Sequence, residues 1–294
     1  MRGRSIRAWA AALCCLLAFF AVGCGGKETE VVGTCGADPI LREEYDYLVA
    51  RLGGEETDAA VLREAILPSV LEDRAILAAA DALLGLGAED SAVKDAVDEG
   101  IEAAIESYGG KSAYRSALKE QSLTEHHLRR MLAIAELQRR AQEKLFAGTE
   151  LADDKAFAEW LKDTEHHARA ERFTFSDSAT AETFRAAVAA GEDAERAAAR
   201  LGGGAQKKTW YFLGLGGDAV DGAVFSLPAD GTSLSAAVAL SDGTFTVFRR
   251  FSVSETDRDD MVAMQGLAVR DRLRDLAWEQ LLATYAEGLS VVWY

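Results

Sequence analysis

Apolar residues recur every three or four positions through the first half of the chain and every second position in short runs of the second half, the change falling near Arg169. The first spacing marks one buried face of a helix and the second one buried face of a strand. Val31 to Thr34 reads as a short strand. Asp38 then reads as a helix N-cap with Pro39 in the first turn. Leu41, Tyr45, Leu48 and Leu52 share one face before Gly53 and Gly54 end the helix. A second helix is predicted from about Asp58 to Leu84, and Pro68 inside it should kink or split it. A third opens at Asp90 and lines up Val93, Val97, Ile101, Ala104 and Tyr108 before Gly109 and Gly110. A short helix follows from about Ser112. The next starts at the N-cap Thr124 and directs Leu128, Met131, Leu132 and Ala135 inward. A further helix, near Asp154 to Ala170, carries Phe157, Trp160, Leu161 and Thr164.

After Arg169 the period shortens. Phe173 and Phe175 alternate with polar neighbours, as in a half-buried strand. "SDSATAETFRAAVAAGED" reads as a capped helix with Phe184 and Val188 inward, and "DAERAAARLGGG" as another. "KKTWYFLGLGG" is a strand entering a glycine turn, "AVDGAVFSL" a short helix, and "TSLSAAVALSDGTFTVFRRFSV" a hairpin turning at Asp242 and Gly243. The order is β-α-α-β-α-β-β. A long helix from about Asp257 to Ala286 and a final strand, "LSVVWY", close the chain.

The front of the chain has a different character. Arg2, Arg4 and Arg7 precede a sixteen-residue uncharged run, Ala8 to Gly23. That is short for a bilayer span and suits the apolar core of an export signal. It ends in "AVGC", Ala21 to Cys24, small residues just before a cysteine. Removal of residues 1–23 would take away three arginines and no acid, moving the formal charge of −16 to about −19. A chain this acidic lacks the basic face that phosphate binding needs, which argues against a nucleic-acid partner. It would not adhere to an anionic surface by charge either, so an acyl chain would be needed to hold it there.

Conventional catalytic signatures are sparse. Cys14 and Cys15 lie in the apolar run, leaving Cys24 and Cys35, with no disulfide framework and no Cys/His metal spacing. "GLGLGG" lacks the full spacing of a dinucleotide loop, no Walker-type lysine follows a glycine loop, and no nucleophile elbow surrounds a serine. Acidic runs such as "GGEETD" and "SETDRDD" read as solvated caps and loops. His126 and His127 occupy a first helical turn and, being adjacent, point about 100° apart, so they read as solvated rather than as ligands. His166 and His167 stand near a helix end, where a cation suits the helix dipole. No metal or other cofactor is called for.

Several of these segments resemble known families. "AVGC" resembles the lipobox of bacterial lipoproteins, although Ala21 stands where leucine is more usual. The resemblance implies cleavage after Gly23, lipidation of Cys24 and an extracytoplasmic site on the cell membrane. "AVDGAVFSLPADGTS" and "SDGTFTVFRRF" resemble the helix, turn and terminal hairpin of parvulin-type prolyl isomerases. "VVGTCGADPILREEYDYLVARL" and "YGGKSAYRSALKEQSLTEHHLRRML" are similar to the helical part of SurA/PrsA-like foldases. In that family the final strand returns to pack on the N-terminal segment. The implied fold is α+β and mostly α: a helical chaperone module built from N- and C-terminal segments, with a small parvulin-like α/β domain inserted. The implied organisation is a signal peptide at 1–23, a lipidated N-terminus and short strand at 24–37, a helical domain at 38–168, a parvulin-like domain at 169–254 and a completing segment at 255–294.

The same resemblance locates a site. Arg172 stands where the parvulin pattern has its first-strand histidine, Thr246 where the hairpin has its second, and Val220 where a helix supplies an aromatic floor; Asp218 is a candidate acid in the glycine turn. Arginine is permanently charged and cannot accept a hydrogen bond. The site is therefore expected to be degenerate, with no catalytic residue. Phe173, Phe175, Phe225 and Phe245 are candidate peptide contacts. The expected function is ATP-independent chaperoning of unfolded or newly translocated polypeptides. A working isomerase, a scaffold lipoprotein and a substrate-capturing lipoprotein of a transporter are the alternatives.

Overall fold

The computed structural model describes residues 30–52 and 58–294. Cys24, the apolar run before it and the Gly53–Gly54 helix stop lie outside them. In chain order the elements are β1 (Val31–Cys35), β2 (Asp38–Leu41), α1 (Arg42–Arg51), α2 (Ala59–Leu84), α3 (Ser91–Ser107), α4 (Lys111–Glu120) and α5 (Glu125–Phe146). A short 3-10 turn at Glu150–Ala152 leads to α6 (Asp154–Leu161), β3 (His167–Phe175), α7 (Ser178–Ala189), α8 (Ala194–Arg200), β4 (Gly204–Phe212) and α9 (Asp218–Phe225). Then come β5 (Asp230–Leu234), β6 (Val238–Ala239), β7 (Phe245–Phe251), α10 (Glu255–Ala286) and β8 (Val291–Trp293). The fold is α+β and mostly helical. It divides into two compact units, one holding the described residues up to Leu145 with Trp278–Tyr294, the other Phe146–Ala277. Residues 146–168 and 255–277, assigned from the sequence to the helical part, therefore belong to the sheet-bearing unit.

In the helical unit, Ala75, Ile76, Ala79, Val93, Val97, Ile101, Leu128, Ile134, Leu137, Trp278 and Leu282 form one core. The α3 stripe is the one the sequence predicts. On α5 the buried positions are His127, Leu128, Ala133, Ile134, Leu137, Ala141 and Phe146, while Met131, Leu132 and Ala135 are half-buried. A three-stranded antiparallel sheet, ordered β2-β1-β8, joins the two ends of the described chain. Asp38 caps no helix: it lies in β2, paired with Cys35 across a turn in which Gly36 has φ +59°. The residue before a proline is biased to extended backbone, and Pro39 sits in an edge strand, where a missing N–H is tolerated. The helix begins instead at Arg42, with Leu41 as an N-cap that makes no side-chain bond. Pro68 does not split α2. It lies on the exposed side, where water can satisfy the carbonyl left without a donor.

The second unit carries an antiparallel sheet ordered β4-β3-β7-β5, with β6 also paired to β7. The predicted helix near Asp154 ends at Leu161 rather than Ala170, because His167 already begins β3. One sheet face packs on α7 and α8 through Phe173, Phe175, Val247 and Phe184. Phe184 lies 4.9 Å, centroid to centroid, from both Phe173 and Phe175. The other face packs on α9 through Ala168, Ala170, Phe248 and Val224. A third cluster joins α6 to α10 through Phe157, Leu161, Phe212, Met261 and Val269.

Candidate peptide-binding face

Side chains alternate across a strand, so β3 sends its even residues to one face and its odd residues to the other. Arg172 and Thr174 therefore share the α9-side face with Ala168 and Ala170, and antiparallel pairing sets Arg172 opposite Phe248 and Thr174 opposite Thr246. The two parvulin-like positions, Arg172 and Thr246, thus stand diagonally on adjacent strands of one face. Val220 on α9 packs against the same cluster, together with Tyr211, Phe225 and Val238. Tyr211 meets Phe248 edge-on at 5.5 Å.

The hairpin that carries Thr246 is held by specific bonds. The Ser235 hydroxyl accepts from the Phe248 N–H at 2.9 Å, and the Ser235 N–H donates to the Phe248 carbonyl at 2.9 Å. Asp242 closes the turn by accepting from the Thr244 N–H at 2.9 Å and its hydroxyl at 2.6 Å, which holds its carboxyl below the usual range. Thr246 is fully buried, its hydroxyl 3.4 Å from that of Thr174. It is therefore spent on the sheet.

Arg172 is different. It is half-buried and forms no ion pair or hydrogen bond among the described residues; its Nε is sealed from solvent without an acceptor, as are those of Arg74 and Arg250. Its neighbours in the sheet are paired. Arg249 meets Glu171. Arg250 donates to the carbonyls of Phe225 at 3.2 Å and Thr164 at 2.9 Å. Burial lifts the Tyr211 phenol above its ordinary pKa, and the Arg172 guanidinium acts against that shift.

None of the chain's four histidines supplies an imidazole here. His166 stacks on Trp160 at 3.8 Å and its Nδ1 bonds the Trp160 carbonyl at 2.8 Å. His167 is odd-numbered on β3, on the face opposite Arg172, and its Nδ1 bonds the Leu161 carbonyl at 2.9 Å. Burial pushes its pKa down. His126 and His127 stand in the helical unit and are not simply solvated: His126 pairs with Glu43, while His127 is buried with its ring 5.0 Å from that of Tyr47.

The candidate aromatic contacts separate. Phe173 and Phe175 are buried core residues, so they build the fold and offer no peptide surface. Phe245 is half-buried against the same core. Phe225 is half-buried on the α9 side, with the Arg250 guanidinium 5.6 Å from its ring. Asp218 is exposed at the start of α9. The acid that holds the glycine turn is Asp221, three residues on, which sequence reasoning missed. Its carboxylate accepts from the Gly214 N–H at 2.7 Å and the Gly216 N–H at 3.1 Å. A Cβ on Gly216 would stand 2.5 Å from Asp221 Oδ1, so the glycine makes room for the carboxylate. An acid one helical turn behind a glycine-rich loop was the available signal.

Among the described residues, no group of three His, Cys, Asp or Glu is placed to hold a metal ion. No helix there is long and apolar enough to cross a membrane.

No family model matches the chain, and no curated protein matches it. Solved structures do. A chain from the structural work on PEB4 and Cj1289, two SurA-like chaperones of Campylobacter jejuni, is 12% identical, with 90% of this chain and 99% of that one covered and a TM-score of 0.31. PrsA from Bacillus subtilis is 18% identical, with 90% and 93% covered and a TM-score of 0.28. The peptidylprolyl isomerase PrsA from Bacillus cereus is 13% identical, with 89% and 92% covered and a TM-score of 0.33. The chain is thus similar, over most of its length and at low identity, to SurA-like chaperones and PrsA foldases.

Proposed function

We propose that this protein is an ATP-independent extracytoplasmic chaperone that binds unfolded polypeptides, and that its sheet-bearing unit is a parvulin-like module without isomerase activity. The observation that carries the reading is apolar surface with no fold to serve. On α10, Met264 is 81% and Leu267 58% exposed. At i,i+3 spacing the two side chains are neighbours on one helix face. Met is flexible and polarisable, suited to apolar segments of varied shape. Such surface marks an interaction site. Attachment to a membrane through lipid on Cys24 rests on the lipobox-like sequence and belongs to the same proposal.

The candidate face supports the absence of catalysis. Prolyl rotation has a barrier of about 18–20 kcal/mol. Thr246 is sealed into the sheet, and Arg172 is a charge where a pocket for a twisting amide should be apolar. Aggregation of several unrelated unfolded clients, followed by light scattering, tests the first claim. The full chain should suppress it, and Met264→Lys with Leu267→Glu should reduce suppression by roughly half or more. Failure with every client would refute chaperoning and favour a scaffold for one partner. A protease-coupled proline-peptide assay tests the second claim. Turnover above the uncatalysed rate that is lost on replacing Arg172 would restore the isomerase.

A further inference from the structure

Arg172 makes no ion pair or hydrogen bond among the described residues, in a chain with a formal charge of −16, and the acid whose carboxyl feels its charge, Asp242, does not contact it. Leaving a half-buried guanidinium unpaired costs free energy, and proteins ordinarily satisfy such groups. The acids near it are committed elsewhere. Glu171 points to the opposite face and holds Arg249, and Asp242 is spent on Thr244. Two further polar groups without a protein partner lie on the same side of the sheet. The Tyr211 hydroxyl makes no hydrogen bond among the described residues, and Gln206, directly across on edge strand β4, is exposed. Half-buried Val220 and Val238 supply apolar surface on the same side.

We infer that this face is a receptor for one acidic side chain in an extended, otherwise apolar polypeptide segment, its carboxylate held by Arg172 and the Tyr211 hydroxyl. The planar guanidinium fork matches a carboxylate with two parallel bonds. Flanking apolar side chains lie against Val220 and Val238. The overall negative charge repels strongly acidic segments, so a single acid among apolar residues is the favoured pattern. The inference deepens the chaperone reading by naming what one unit selects in a client.

The test uses the full chain in mild detergent and two N-acetylated, C-amidated peptides, Ala-Leu-Glu-Val-Phe-Ala-Lys and its Gln counterpart, each labelled on the lysine side chain with an uncharged BODIPY dye. Fluorescence anisotropy should show the Glu peptide bound about tenfold more tightly. Arg172→Gln should abolish that preference. Tyr211→Phe, which keeps the ring against Phe248, should reduce it, and this covers the case in which the arginine variant does not fold. Equal affinity for the two peptides, a preference that survives Arg172→Gln, or binding only of a version with a free C-terminal carboxylate would overturn the inference. Aggregation suppression by the same preparations is read separately. A Glu preference without suppression would sink the chaperone reading and leave the carboxylate site standing.

Discussion

The two units contain buried or half-buried arginines that are handled in opposite ways. In the helical unit Arg74, on α2, is almost wholly buried against Glu44, with bonds of 2.8 and 3.0 Å, and donates to the Pro39 carbonyl at 2.9 Å. Glu43, one residue earlier on α1, accepts from the Thr124 hydroxyl at 2.5 Å and pairs with His126. Thr124 in turn accepts from the His127 N–H at 2.9 Å, capping α5. Hairpin, α1, α2 and α5 are thereby tied through charges. In the sheet-bearing unit Arg172 meets nothing of the kind. A buried ion pair whose terminal atoms find partners inside the protein fixes the arrangement of elements. A charge left open on a half-buried face keeps its strongest bonds for something outside.

The largest test of that contrast is to cut the helical pair. Arg74→Leu leaves buried Glu44 with only Arg130, 3.9 Å away, as a counter-charge, and breaking one side of a buried pair costs about 3–5 kcal/mol. Urea unfolding of the variant should show a loss of that size. Replacing both partners, Arg74→Leu with Glu44→Leu, should recover much of it, because the cost lies in the orphaned charge. A single variant within experimental error of the parent would mean that the network does not hold the helices.

A smaller effect concerns pH. Burial, reinforced by nearby Glu44 and Glu72 and opposed by Arg74 and Arg130, pushes the Asp73 carboxyl up to about 6. A carboxyl that binds its proton more tightly when folded adds stability below its ordinary pKa. That contribution disappears as pH rises through about 6. His127 works the other way. Burial holds it below its ordinary value, against the pull of Glu44 and Glu43 and with Arg130 and His126 adding to the shift. Its contribution is present above the ordinary histidine pKa and is lost as pH falls. Between pH 7 and pH 5 the two oppose each other. Asp73→Asn should remove the first and leave a fold that weakens on acidification, by a difference of order 1–2 kcal/mol from the parent. Parallel slopes for parent and variant would remove Asp73 from the balance.

Much of the architecture was legible because it is periodic. The α3 stripe, the Phe173/Phe175 alternation and the Asp242–Gly243 turn each follow from local spacing. The errors come from tertiary context. Asp38-Pro39 has a helix-start composition, but β1 was available to pair it into a hairpin. Nothing local marks Glu43 and Glu44 for burial, and the partners that permit it, Thr124 and Arg74, stand 81 and 30 residues away. His126 and His127 were misread for the same reason. At the candidate face, sequence order located Arg172 and Thr246, but not that Thr246 is sealed in or that Arg172 lacks a partner.

The smallest expected effect sharpens the comparison most. Arg172→Gln should change the unfolding free energy by no more than about 0.5 kcal/mol, since no native ion pair is lost and no buried acid is orphaned. A neutral amide is also easier to half-bury than a guanidinium whose Nε lacks an acceptor, which acts in the variant's favour. Chemical unfolding of this variant beside Arg74→Leu sets two arginines of one chain against each other. A loss at Arg172 approaching that at Arg74 would mean that the cation supports the sheet, and the distinction between a committed charge and an open one would fail. A near-zero change, with the large loss kept at Arg74, would assign one arginine to the fold and leave the other free of it.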